Sequence, residues 1–137
     1  MTEADYIKTI RAGFSDDGRV TPTALEIMHK ALTQYPDSPA LWCLRGNLIQ
    51  LSDGCEFSLA DAKDSYLQAI ALNPDYAEAY EELGHFYNAV DENLTKSEEY
   101  FRKSIALGGS EESEKGLADV LEQMGKQRNK IIERWGT

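Results

Sequence analysis

Glu78, Glu81, Glu82 and His85 stand at i, i+3, i+4 and i+7. On a helix that spacing lines them along one stripe, where carboxylates and an imidazole could share a metal ion or a proton. Glu82-x-x-His85 is the fragment that di-iron helix bundles use, and Glu26-x-x-His29 supplies a second copy. A zinc-protease arrangement would need a second histidine one turn from His85, and none is there. The only other soft ligands are Cys43 and Cys55, which form no CxxC pair and join no Cys/His cluster of zinc-binding spacing. A buried, reduced cysteine is the simpler expectation. Nucleophilic chemistry has no foothold either, since the chain lacks G-x-S-x-G and any glycine-rich phosphate loop. Asn93-Leu94-Thr95 is expected to be a turn that opens a helix.

What positions the stripe is a repeat. Residues 35–49, YPDSPALWCLRGNLI, overlie residues 73–87, NPDYAEAYEELGHFY, at a constant offset of 38. Pro36 falls on Pro74, Asp37 on Asp75, Trp42 on Tyr80, Gly46 on Gly84 and Ile49 on Tyr87. The preceding segments keep that register, with Ala24 on Ala62, Met28 on Tyr66 and Ala31 on Ala69. At offset 35, YLQAIAL (66–72) returns as FRKSIAL (101–107). Each repeat reads as two amphipathic helices. Trp42, Arg45, Gly46 and Ile49 mark one face of the first helix, and Ala62, Tyr66, Ala69 and Ile70 mark one face of the second. A glycine inside a helix costs about 1 kcal/mol against alanine. Its return at the same point of two copies implies that helices approach closely there. Pro36 and Pro74 mark the boundaries between repeats.

This pattern resembles the tetratricopeptide repeat, W-x2-L-G-x2-Y, A-x3-F and P over about 34 residues. The matches are Trp42-x2-Arg45-Gly46-x2-Ile49, Ala62-x3-Tyr66 and Pro74. The next are Tyr80-x2-Leu83-Gly84-x2-Tyr87, Ser97-x3-Phe101, and Gly109 in place of proline. The flanks fit more loosely. Ile7-x2-Ile10-x3-Phe14 supplies the large positions of an opening helix, with Arg11 where glycine is usual, Gly18 in the turn and Thr21-Pro22 starting the next helix. At the other end Leu117, Ala118 and Leu121 fit the L-G-x2-Y positions. Gly125 fits the turn, and residues 126–135 form a short helix with Ile131, Ile132 and Trp135 on one side. The loop at 52–59 is four residues longer than usual, with Phe57 either exposed at its tip or tucked back onto the core, the latter being expected.

The resemblance implies an all-α, right-handed superhelical solenoid of about four antiparallel helix pairs. It forms a single domain over 1–137, with repeats at 4–37, 38–75, 76–109 and, as a C-terminal cap, 110–137. It also puts Glu26 and His29 on a second helix of one repeat and Glu82 and His85 on a first helix two repeats later. The two pairs then do not converge, so no metal and no cofactor is expected. In this family the first helices line a concave groove. Carried over, the second repeat contributes Ala40, Cys43, Leu44, Asn47, Gln50 and Leu51. The third contributes Glu78, Glu81, Glu82, His85, Asn88 and Ala89, and the fourth Glu112, Lys115, Gly116, Asp119, Glu122 and Gln123. The groove would run from apolar to acidic, suiting a partner segment with apolar anchors followed by Lys or Arg. Some members clamp the C-terminal carboxylates of heat-shock chaperones with Lys, Asn and Arg. Here only fragments such as Lys8 and Asn47 remain, Ala12 and Cys43 stand at clamp positions, and Glu78 and Glu82 replace cations, so that activity is not expected.

Composition agrees. A net charge of −10 disfavours nucleic acid, whose phosphates call for a basic stripe. Residues 126–137 differ: Lys126, Arg128, Lys130 and Arg134 against Glu133 leave +3 there and −13 on the rest. No run of apolar residues is long enough to span a membrane, and MTEADYIKTIRAG is no secretory leader, so the expected location is the cytoplasm. The expected function is a non-enzymatic module that holds a protein or peptide. A self-associating structural scaffold is the alternative, and a helical metal-binding enzyme the rival class.

Overall fold

The computed structural model describes residues 1–13, 21–52 and 56–135. Among these residues there are seven helices and no strand. They gather into two compact units, Met1–Tyr76 and Ala77–Thr137, dividing where the second repeat meets the third.

The first unit holds α1 (Glu3–Ala12), α2 (Pro22–Gln34), α3 (Pro39–Leu51) and α4 (Leu59–Leu72). Each start is written locally. Thr2 with Asp5, and Ser58 with Asp61, form reciprocal capping boxes that satisfy otherwise orphaned N–H groups. Ser38 accepts from the Leu41 N–H ahead of Pro39, and Thr21-Pro22 opens α2 as the sequence indicates. Pro36 stands between α2 and α3. The core joins Ile10 of α1, Ala24, Met28 and Ala31 of α2, and Leu41, Leu44 and Leu48 of α3. Each large aliphatic side chain buried there contributes about 1.5–3 kcal/mol.

Between α3 and α4 the glycine has the role its recurrence implied. A Cβ on Gly46 would lie 2.6 Å from the ring of the buried Tyr66. The Tyr66 hydroxyl donates to Asn47 Oδ1 at 2.6 Å and accepts from the Gln50 amide. Gly46→Ala is therefore expected to lower stability by about 1–3 kcal/mol through overpacking, despite alanine's better helix propensity. A drop in the urea midpoint with unchanged slope checks this. Phe57 tucks back: it is half-buried, with the Arg45 guanidinium 4.7 Å from its ring centre. Arg45 also lies 5.7 Å over Trp42 and donates to the Ser65 hydroxyl. Phe14, Gly18 and Cys55 lie outside the described residues.

The second unit holds α5 (Ala77–Ala89), α6 (Leu94–Ala106) and α7 (Glu111–Trp135). Asn93 caps α6, accepting from the Lys96 N–H at 3.1 Å, so Asn93-Leu94-Thr95 is indeed a helix start. Gly109, which replaces the boundary proline, belongs to a different stop signal. Gly108 sits at φ +83°, a left-handed conformation that costs glycine nothing. Its N–H reaches the Ile105 carbonyl at 3.0 Å, and the Gly109 N–H reaches that of Ser104 at 2.8 Å, closing α6 in a Schellman motif.

The centre of this unit is Phe101. Its ring is buried between two glycines. A Cβ on Gly84 of α5 would stand 2.7 Å from it, and one on Gly116 of α7 closer still. Ser97 fills the usual alanine position by donating to the Gly84 carbonyl at 2.6 Å.

α7 corrects two expectations. It is one continuous helix of 25 residues, with no turn at Gly125 and no separate helix at 126–135. Its buried face is Ser113, Gly116 and Val120, whereas Ala118 and Leu121, matched to framework positions in the sequence, are exposed. The reason is steric: the Phe101 ring admits only glycine where α7 crosses it.

Candidate functional site

α5 separates its two roles by face. Ala79, Tyr80, Leu83, Gly84, Phe86 and Tyr87 are buried. Glu78 and His85 are exposed, and Glu81, Glu82 and Asn88 are half-buried. His85 lays its ring edge-on against Phe101, with centroids 4.9 Å apart.

The acids are not equivalent. Glu81 is turned toward α7. Its Oε1 accepts from the Ser113 hydroxyl at 2.8 Å and also from that of Ser110, while Ser113 pairs with the buried Ser104 hydroxyl at 2.8 Å. Glu81 therefore ties α5 to α7 and α6 as well as carrying charge. Glu82 is different. Burial, then the neighbouring Glu78 and Glu81 carboxylates, push its carboxyl up from 4.5 to about 7. Glu78 and Glu82, one turn apart, thus form an acidic pair whose charge is held at a cost. An approaching ammonium or guanidinium would relieve that cost.

On α7, Asp119 accepts from the amides of Asn88 at 3.3 Å and Gln123 at 2.9 Å, so it is braced to α5 by the helix it faces. Glu122 pairs with Lys126 at 3.1 Å, and Glu112 with Lys115 at 3.5 Å, both exposed pairs of small energetic weight. Gly116, a groove position by family register, is buried under Phe101 and cannot face a ligand.

Among the described residues of the first unit most of the expected apolar surface is withdrawn, although Leu51 stays 49% exposed. Cys43 and Leu44 are buried, Leu44 within the core cluster. Asn47 is half-buried and its carbonyl is taken by Tyr66. The second Glu-x-x-His pair, Glu26 and His29, is exposed on α2. Among the described residues no three His, Cys, Asp or Glu side chains gather as a metal site would require, and no helix is long and apolar enough to cross a membrane.

Sequence reading missed Ser104, Ser110 and Ser113. A weak signal existed: serines at 110 and 113, three apart after Gly108-Gly109, mark a helix start, but nothing in their spacing points to Glu81.

Residues 65–114 match the family model described as tetratricopeptide repeat. No curated protein matches the chain. Among solved structures, the chain is similar to the crystal structure of the Sgt2 TPR domain from Aspergillus fumigatus. The TM-score is 0.76 at 17% identity, over 93% of this chain and 82% of that one. The likeness in fold establishes an all-α, TPR-like helical repeat.

Proposed function

We propose that the chain, whose fold is TPR-like and whose residues 65–114 match the tetratricopeptide repeat family, is an interaction module whose acidic α5 stripe holds a basic partner segment. Repeats of this kind are generally non-catalytic and serve protein–protein contact. The observation that carries the reading is the division of α5. Tyr80, Leu83, Gly84 and Tyr87 are the buried framework positions, while Glu78 and His85 are exposed and Glu82 half-buried, and all three differ from the preceding copy. Variable residues on a rigid repeated frame are how such a scaffold selects a partner. Basic residues dominate this reading of the partner, because Cys43 and Leu44 are withdrawn into the interior and leave Leu51 as the exposed large apolar groove position of the second repeat.

The test uses fluorescence anisotropy with labelled peptides that share one neutral background and carry increasing numbers of Lys and Arg. Affinity is expected to climb with cation count, to fall with salt, and to drop about tenfold or more in Glu78→Gln/Glu82→Gln. Glu81 is left intact because it holds the helices together. Binding that ignores both cation count and the double substitution would remove this stripe as the recognition surface.

A further inference from the structure

The face that buries Ser113, Gly116 and Val120 accounts for one side of α7. A second stripe, exposed except at the half-buried Gly125, runs along another side: Ala118, Leu121, Gly125, Arg128, Ile132 and Trp135. Its steps alternate three and four, the a/d seam of a two-stranded coiled coil. Leu121 is 41%, Ile132 56% and Trp135 76% exposed. A side chain on Gly125 would meet nothing within 4 Å. The seam spans about 26 Å at 1.5 Å per residue. Such a surface is built to take another helix.

Charge says which helix, and in which direction. In the stretch the seam covers, residues 118–126 carry Asp119 and Glu122 against Lys126, and residues 127–135 carry Arg128, Lys130 and Arg134 against Glu133. Two copies of α7 laid antiparallel put the acidic half of each on the basic half of the other. A parallel pair would put like on like. Side-chain size agrees with the antiparallel register centred between Lys126 and Gln127. There Ala118 faces Trp135 of the second copy, Leu121 faces Ile132, and Gly125 leaves room for Arg128. Small meets large in the first and last of these layers, and branched apolar meets apolar in the middle one. Each layer occurs twice by two-fold symmetry, as an isologous interface requires. We propose that a second copy of this chain docks on this seam, pairing α7 with α7 antiparallel.

Sedimentation equilibrium on the full chain, from micromolar to millimolar, tests this. A monomer–dimer equilibrium is expected. Ile132→Asp should weaken it about tenfold or more while leaving the far-UV spectrum unchanged, because Ile132 is exposed in the single copy. Position 125 reports direction. Gly125→Glu should tighten the dimer by facing Arg128 of the second copy, and Gly125→Arg should loosen it. In a parallel pair residue 125 faces itself, so both changes would loosen the dimer and overturn the antiparallel assignment. A chain that stays monomeric throughout overturns the proposal, as does a dimer indifferent to Ile132→Asp. So does a monomer that binds anionic phosphatidylserine vesicles through the same residues, which would assign the seam to a lipid surface.

Discussion

Replacing Phe101 with alanine is expected to lower the free energy of unfolding by about 3–5 kcal/mol, a large share of what a small domain possesses. The ring is fully buried and touches three helices at once. It belongs to α6, rests on Gly84 of α5 and Gly116 of α7, and meets the edge of His85. Removing it leaves a void bounded by glycines, which have no side chain to swing into it. The wall cannot collapse cheaply, so the upper part of the range is expected. Urea unfolding followed by far-UV circular dichroism measures the loss. A double-mutant cycle tests the cause. Gly84→Ala alone forces a methyl into the ring and should destabilise. Made in the Phe101→Ala background, the same methyl enters the void, so the two effects should fall short of additivity by about 1 kcal/mol or more. Strict additivity would mean that the glycine is not there for the ring. Native-state hydrogen exchange gives a second readout: Phe101→Ala should raise exchange in the first half of α7, which is seated on the same ring.

The Phe101 arrangement was legible in the sequence in part. Gly46 with Tyr66, and Gly84 with Phe101, stand at equivalent repeat positions though 20 and 17 residues apart, and a glycine that returns at the same point of each copy announces a close approach. Gly116 gave no such signal. The repeat pattern puts Leu117, Ala118 and Leu121 on the L-G-x2-Y positions, with Ala118 for the glycine, but the contact with Phe101 is made by Gly116. α7 also outran its expected end. Gly125 looked like a turn by register, yet a single glycine costs a helix only about 1 kcal/mol. Stopping one takes a left-handed residue and a hydrogen-bonded close, as at Gly108-Gly109. Past Gly125 the chain continues with good helix formers and a Glu122–Lys126 pair across the gap. The candidate site divides in the same way. The stripe Glu78, Glu82 and His85 followed from helical spacing alone. The inward turn of Glu81 did not, because its partners Ser110 and Ser113 come from the next helix. Cys43 and Leu44 occupy groove register but are apolar, and burial against the neighbouring helices claimed them.

Glu82→Gln is expected to stabilise the protein at pH 8 and to leave it unchanged at pH 4. The native carboxyl titrates at about 7 and the unfolded one near 4.5. Between those values the folded chain keeps a proton that the unfolded chain has released. Folding is therefore favoured on the acid side, fully below pH 4.5, and that advantage is lost as pH rises to about 7. Above it, the native state carries an ionised Glu82 that is part-buried and faces Glu78 and Glu81. With solvent screening part of the charge, the cost is about 1–3 kcal/mol, which glutamine removes. Urea midpoints of both proteins from pH 4 to 8 decide it. The curves should coincide in acid and separate through neutrality, and parallel curves would mean that another group carries the pH dependence. The same charge makes the proposed site responsive. A lysine or arginine docking against Glu82 favours the carboxylate, so a basic segment that binds below pH 7 must expel a proton. Its affinity should then rise with pH across the window in which the empty protein loses stability, and Glu82→Gln should abolish both trends together.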